Sequence, residues 1–171
     1  IMRLDIDEFL VNKNKETVSD YINTINIKNT KAIKVPRYNF GSNGHIVKPF
    51  GKVIQNYKMR EKICSAYKTI ANSDYIDTNK KFYGVHDFAF KSYTGKVYND
   101  YFTYKHTGYH NKCTKYSINE TPLVINHYYT KSKQEYIQRC ELWKNGGINP
   151  IRYRTDCESN FENVDINEIY N

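Results

Sequence analysis

The chain has 171 residues and a formal net charge of +8. Its hydrophobic content of 39% and aromatic content of 15% are sufficient for one domain with a core of its own. The lysines are scattered without long runs of like charge, and abundant Lys, Asn, Ile and Tyr are typical of AT-rich codons, so we expect no dedicated nucleic-acid partner.

The stretch shows no secretory signal, membrane-spanning segment or lipidation motif. Its cysteines form no C-x-x-C pair, and their number is ordinary for this length, so we expect free thiols in a reducing compartment. These observations predict a cytoplasmic protein without a membrane span. The cysteines are Cys64, Cys113, Cys140 and Cys157.

An acidic motif, Asp5-Ile6-Asp7-Glu8, follows an apolar run that begins at Ile1. We expect the run to be a strand that ends in the carboxylates. Two residues apart on a strand, Asp5 and Asp7 project from the same face. Carboxylates sharing a face are ligands that Mn²⁺ or Mg²⁺ prefers, with phosphate oxygens and water completing the shell. The motif therefore predicts a metal site for a phosphorylated ligand.

A short helix is expected next, capped by Asn14, and a second strand is expected at 32–40. The helix has the i, i+3, i+4, i+7 spacing of an amphipathic helix. Its apolar stripe consists of Val18, Tyr21, Ile22 and Ile25.

The second strand leads into the segment Phe40-Gly41-Ser42-Asn43-Gly44-His45, which we call the glycine loop. Its glycines flank small polar residues, so the backbone can approach a ligand closely, although a plain turn has the same composition. Gly41, Asn43 and His45 are therefore candidate ligand-binding residues.

Further strands are predicted at 68–71 and at 123–129, the latter with His127 near its end. Between them, the alternating stretch 82–90 contains His86 and Asp87, and a Tyr-rich loop is expected at 92–115.

A helix begins after Ser132, which forms a capping-box pattern with Glu135. The helix is expected to end at 145–147, and a second, short helix is expected at 164–170. The apolar stripe of the first helix consists of Tyr136, Ile137, Cys140 and Trp143.

Three of these segments, in this order, resemble the second half of glycosyltransferases with the family A fold, of the family 2 and family 92 kind. They are the Asp-Ile-Asp-Glu-Phe motif at residue 5, the glycine loop, and the Ile-Asn-His-Tyr-Tyr-Thr-Lys-Ser segment at 125–132. The similarity spans roughly residues 4–149. It implies an α/β fold with a partial GT-A-type (Rossmann-like) mixed sheet and flanking helices. Residues 1–171 would be the C-terminal portion of a single catalytic domain whose N-terminal nucleotide-binding half is absent from this sequence and would be a partner.

The resemblance implies metal-dependent transfer of a hexose, with inversion, from a nucleotide-sugar donor to a hydroxyl of a glycan or glycoconjugate acceptor. The expected donor is a UDP-sugar and the expected ion Mn²⁺ or Mg²⁺. In this DXD-type motif, Asp5 would touch the nucleotide and share the ion with Asp7. His127 would complete the metal shell, with His86 as a competing candidate.

Two further roles are expected around the transferred sugar. Lys131 is a candidate for contact with a phosphate of the donor. Asp87, beside His86, is the candidate general base that would deprotonate the acceptor.

Two other readings remain open. The spacing His106-x-x-x-His110-x-x-Cys113 resembles a set of zinc ligands, although Gly108 makes a poor helix interior. The 17 tyrosines would also suit a non-catalytic glycan-binding module or a truncated remnant, because aromatic rings stack on sugar faces.

Overall fold

The computed structural model describes most of the chain and has a mixed α/β architecture in two compact units. Unit 1 consists of Ile1–Tyr38 and Ile63–Asn126, and unit 2 consists of Asn39–Lys62 and His127–Asn171. The residues described are 1–14, 16–25, 29–64, 66–80, 86–91, 96–98, 122–146 and 156–170.

The described part of the chain contains helices, strands and one short 3₁₀ turn at Ser73–Tyr75. In chain order the helices and strands are β1 (Glu8–Asn12), α1 (Val18–Thr24), β2 (Thr30–Asn39), α2 (Val53–Asn56), β3 (Met59–Arg60), β4 (Ala66–Ala71), β5 (Lys96–Tyr98), β6 (Leu123–His127), α3 (Lys133–Asn145), α4 (Cys157–Val164) and β7 (Ile169–Tyr170).

A mixed sheet forms the centre of unit 1. Its strands run in the order β1-β6-β2-β4, and β5 also pairs with β2. β2 is antiparallel to β4, with Ala32 opposite Ala71 and Arg37 opposite Ala66, whereas β5 is parallel to β2. The predicted α/β class, with a mixed sheet and flanking helices, is therefore confirmed at this level. The strands predicted at 32–40, 68–71 and 123–129 are confirmed by β2, β4 and β6.

Helix α1 covers the apolar core of unit 1. The predicted stripe is confirmed, because Ile25 is buried and its other members pack against Ile33, Val35, Leu123 and Ile125. The predicted cap at Asn14 is wrong. Thr17 caps the helix, since its hydroxyl accepts the Asp20 N–H at 3.0 Å and the Asp20 carboxylate accepts the Thr17 N–H at 3.0 Å.

Helices α3 and α4 pack together in unit 2. The predicted capping box is confirmed: the Ser132 side chain accepts the Glu135 N–H, and the Glu135 carboxylate accepts the Ser132 N–H. The predicted apolar stripe is also confirmed, since it lies in one core cluster with Cys157, Phe161 and Val164 of α4.

The prediction of free thiols is wrong for the described cysteines. Cys140 of α3 and Cys157 of α4 form a disulfide with a Cα–Cα distance of 6.0 Å, and Cys64 is also disulfide-bonded. Sequence spacing did not reveal this pairing, because it depends on the packing of two helices rather than on a local motif.

The helix predicted at 164–170 is also wrong. Asp156 caps α4, and its carboxylate accepts the Ser159 N–H at 2.9 Å, so the helix begins earlier and ends at Val164. Residues Ile169–Tyr170 form a strand antiparallel to Met59–Arg60.

Several predictions fall on residues that are not described. They are residues 82–85 of the stretch 82–90, most of the loop 92–115, and the zinc-like set His106, His110 and Cys113. The prediction of a loop is wrong at Lys96–Tyr98, which form β5. None of the described helices combines the length and the apolar composition needed to cross a bilayer.

The double variant Cys140→Ala/Cys157→Ala lacks the α3–α4 disulfide. We expect its free energy of unfolding to be lower by about 3 kcal/mol. The bond closes a loop of 17 residues, and its loss frees the unfolded chain. Chemical denaturation followed by circular dichroism measures the change, with the exposed α3 substitution Leu142→Ala as the control. An unchanged denaturation midpoint would contradict the prediction.

Candidate functional site

The acidic motif forms a turn ahead of β1 rather than the end of a strand. The Glu8 N–H donates to the Asp5 carbonyl at 3.0 Å, the Asp5 N–H donates to Glu8 Oε2 at 3.0 Å, and Ile6 between them is fully exposed. The predicted strand ending in carboxylates is therefore wrong, because β1 begins at Glu8. Asp5 and Asp7 consequently do not share a strand face. We call residues 5–8 the acidic turn.

Glu8 holds the acidic turn in place through buried ion pairs. Its Oε2 lies 2.5 Å from Lys68 Nζ of β4, and its Oε1 lies 3.2 Å from Arg37 Nη1 of β2. The side chains of Glu8 and Lys68 are only 0% and 1% exposed. A buried charge needs such partners, because leaving one unpaired costs several kcal/mol. We therefore assign Glu8 a structural role within this ion-pair cluster of Glu8, Arg37 and Lys68.

The two predicted metal ligands differ in exposure within this anchored turn. Asp5 is 57% exposed, and its Oδ2 lies 3.0 Å from Lys68 Nζ; Asp7 is partly buried. No group of three His, Cys, Asp or Glu side chains among the described residues is arranged to hold a metal. Mg²⁺ sites commonly use one or two carboxylates, with phosphate oxygens and water as the remaining ligands. A metal site at Asp5 and Asp7 would depend on such added ligands and stays a prediction.

His86 lies beside the ion-pair cluster and is kept neutral. Its carbonyl accepts the Thr69 N–H at 3.1 Å, and its Nδ1 is buried without a hydrogen-bond partner among the described residues. Burial, with the charges of Arg37 and Lys68, lowers the pKa of His86 to about 4. The same two cations disfavour a divalent cation at this imidazole.

Asp87, the candidate base, also lies in unit 1. Its side chain is partly buried, and its Oδ1 accepts the N–H of Phe88 at 2.8 Å. The carboxylate is therefore directed back toward its own backbone in this structure.

The other predicted ligand-binding residues belong to unit 2, where the glycine loop contacts the chain's own segment 165–167. A Cβ on Gly41 would lie 2.3 Å from the carbonyl oxygen of Ile166 and 2.5 Å from Asn167 Oδ1. The backbone N–H of Ser42 donates to Asp165 Oδ1 at 2.5 Å, and the Ser42 hydroxyl donates to Oδ2 at 2.7 Å. The close approach that requires glycine at this position is thus made by the protein itself.

Asn43 has a structural role in the same loop. Its φ of 54° places it in the left-handed region that Asn tolerates. Its Oδ1 accepts the N–H groups of Lys58 and Met59 at 3.0 and 2.7 Å, and its own N–H donates to Asn167 Oδ1 at 2.8 Å. The side chain of Asn43 therefore already joins two parts of unit 2.

The start of α3 is bound by the loop that carries His45. The N–H of Lys133 donates to the His45 carbonyl at 3.0 Å, and the N–H of Gln134 donates to the Ile46 carbonyl at 2.9 Å. Lys131 precedes this helix with a φ of 54°. A phosphate near Lys131 would accordingly meet the lysine side chain, because the first helix amides are already bonded.

Glu135 is the most heavily bonded acid at this helix start. Its Oε2 accepts the Tyr57 hydroxyl at 2.7 Å and the Ser132 hydroxyl at 2.8 Å. Burial opposes its ionisation, but these hydrogen bonds and the charge of Lys131 together lower the pKa of Glu135. The carboxylate holds Tyr57 against the helix start, and burial with this hydrogen bond raises the Tyr57 pKa.

His127 ends β6 with its ring orientation fixed by Asn39. Its Nδ1 lies 2.7 Å from Asn39 Oδ1, and the Asn39 N–H donates to Glu61 Oε1 at 2.6 Å. Because an amide oxygen accepts, Nδ1 is the donor in this hydrogen bond. Metal-binding histidines usually donate their other ring N–H to such a partner. Asn39 therefore orients the His127 ring, and the metal role of His127 stays a prediction.

The predicted site residues thus divide between the units. Asp5, Asp7, His86 and Asp87 lie in unit 1, and Gly41, Asn43, His45, His127 and Lys131 lie in unit 2. Comparison with known proteins adds no relative: no family model matches the chain, and no curated protein or solved structure is significantly similar to it.

Sequence reasoning missed the partners of the site residues. Lys68 carries a detectable signal, since it is the one charged residue in the apolar strand Ala66–Ala71, and a cation there requires a buried acid. Asp165 and Asn167 carry no such signal, because their contacts with the glycine loop are non-local.

Lys68→Met is expected to lower the free energy of unfolding by about 3 kcal/mol, because it leaves the buried Glu8 carboxylate with Arg37 alone. The matched control is Lys80→Met, which removes an exposed ion pair with Asp77 (3.6 Å) and should cost less than about 1 kcal/mol. Chemical denaturation measures both. Equal losses for the two variants would show that Lys68 is not a critical partner.

His86 is expected to make the folded state less stable in acid. Folding lowers the pKa of His86 from 6.5 to about 4. Between these pH values the unfolded chain therefore binds more protons than the folded chain. The stability present above pH 6.5 is therefore lost as the pH falls toward 4. His86→Gln should flatten this dependence, measured as unfolding free energy across that range. Parallel curves for parent and variant would exclude His86 as the cause.

Proposed function

We propose that this chain is part of a metal-dependent glycosyltransferase that moves a hexose from a nucleotide-sugar donor, with inversion, to an acceptor hydroxyl on a glycan or glycoconjugate. The observation that carries the proposal is the acidic turn, in which Lys68 and Arg37 bind Glu8. Asp5 is exposed in this turn, and Asp7 follows it two residues later. The three sequence segments that resemble the family A glycosyltransferases support it further.

The anchored turn suits a site for a nucleoside diphosphate. Asp5 and Asp7 would hold Mn²⁺ or Mg²⁺ together with the phosphate oxygens of a UDP-sugar. The bound ion would stabilise the negative charge of the leaving diphosphate. Because Glu8 fixes the turn, the carboxylates need little reordering when a ligand binds, which favours affinity.

The remaining site residues have roles that follow from their chemistry. His127 stays a candidate metal ligand on the sequence resemblance alone, and Asn39 orients its ring. Lys131 would contact a donor phosphate, and Asp87 would take the proton of the acceptor hydroxyl. His86 is the weaker metal candidate, since Arg37 and Lys68 lie near it.

The finer fold and the location of the protein belong to the same proposal. The mixed sheet is compatible with the C-terminal portion of one GT-A-type catalytic domain, for which the N-terminal half of the same enzyme would complete the nucleotide pocket. The cytoplasmic location predicted from the sequence is less favoured than an oxidising compartment, because the Cys140–Cys157 bond would not persist under reducing conditions.

Mn²⁺-dependent binding of UDP is expected to fall at least about tenfold in Asp7→Asn. The substitution keeps the shape of the side chain and removes its charge. Isothermal titration calorimetry with and without Mn²⁺ measures the effect. The matched control is Asp74→Asn, which alters an acid at the start of the 3₁₀ turn Ser73–Tyr75 and should leave UDP binding unchanged.

Equal UDP binding by the parent and Asp7→Asn would contradict a catalytic metal site at the acidic turn. Retained binding of glycans by both proteins, without any dependence on Mn²⁺, would instead favour the non-catalytic glycan-binding module.

A further inference from the structure

Residues 46–54, which we call the apolar–basic loop, expose large apolar side chains in unit 2. Phe50 is fully exposed, and the other exposed apolar residues of the loop are Ile46, Val47 and Ile54. Apolar side chains grouped on a surface in this way mark an interaction site, whereas scattered single ones need no explanation.

The charged residues within the loop have one sign. Lys48 and Lys52 are exposed and alternate with the apolar residues, and the segment 41–60 contains no Asp or Glu. The loop therefore offers apolar groups and positive charges on the same short surface, which complements a surface that is both apolar and anionic.

The backbone of the loop is held in place by its neighbours. The N–H of Gln134 donates to the Ile46 carbonyl at 2.9 Å, and the N–H of Lys48 donates to Gln134 Oε1 at 3.1 Å. The Asn56 side chain donates to the Phe50 carbonyl at 3.0 Å. Paired backbone groups favour entry into a membrane interface, and an ordered loop loses little conformational freedom on binding.

We propose that the apolar–basic loop binds the surface of a membrane that contains anionic lipids. Phe50 and its apolar neighbours would enter the boundary between headgroups and acyl chains, and Lys48 and Lys52 would contact the headgroups. Lipid is favoured over a protein partner because lysine is depleted in protein interfaces, whereas interfacial membrane elements combine lysine with Phe and other apolar residues. The proposal does not depend on glycosyl transfer.

Vesicle flotation tests the proposal with the full chain. Phosphatidylcholine vesicles are compared with vesicles that also contain phosphatidylserine, and the parent is expected to bind the anionic vesicles more tightly. Phe50→Ser should lower the partition coefficient at least about tenfold, because it removes the largest exposed apolar group. The double variant Lys48→Gln/Lys52→Gln should lose most of the preference for vesicles that contain phosphatidylserine. Added salt should have the same effect on the parent.

Leu142→Ser is the matched control, since Leu142 is another exposed apolar residue of unit 2 but lies on α3. It should bind vesicles as the parent does, and all variants should unfold at the parent's denaturant midpoint. Three results would overturn the proposal: no binding by the parent, equal binding by parent and Phe50→Ser, or a concentration-dependent dimer that Phe50→Ser abolishes. None of these would bear on UDP binding at the acidic turn.

Discussion

The buried carboxylate of Glu8 is the charge on which unit 1 depends. A fully desolvated carboxylate is tolerated only with cationic partners, and here they come from two neighbouring strands, as Arg37 on β2 and Lys68 on β4. Their positions fix where β1 begins, and so they set the geometry of the acidic turn. Burial lowers the pKa of His86, and the charges of the same two cations lower it further. One ion-pair cluster thus supports the start of β1 and contributes to the charge state of a neighbouring imidazole.

The parts of the fold that the sequence predicted are those with local causes. The stripe of α1 and the capping box of Ser132 and Glu135 depend on residues within one or two helical turns, and both are present. The burial of Glu8 at the start of β1 depends on Lys68, which lies 60 residues further along the chain. The Cys140–Cys157 bond depends on helix packing. Neither long-range contact leaves a periodic pattern in the sequence.

The same distinction holds for the candidate site. Spacing selected the carboxylates of the acidic turn, and the glycosyltransferase resemblance selected the histidine that ends β6. Residue type could not reveal that Asn39 orients His127, or that Asp165 and Asn167 occupy the space beside Gly41. A glycine allows another group to approach its backbone closely, and the sequence does not show whether that group belongs to a ligand or to the chain itself. The structure distinguishes these cases at Gly41.

The contact between Ser42 and Asp165 has a consequence for biosynthesis. The two residues are 123 positions apart in the chain. At a translation rate of roughly 5–20 residues per second, Asp165 is therefore synthesised about 6–25 seconds after Ser42. Until then the backbone N–H groups of Ser42 and Asn43 lack their partners Asp165 and Asn167. The glycine loop of nascent unit 2 should therefore remain unfinished until residues 165–167 have left the exit tunnel.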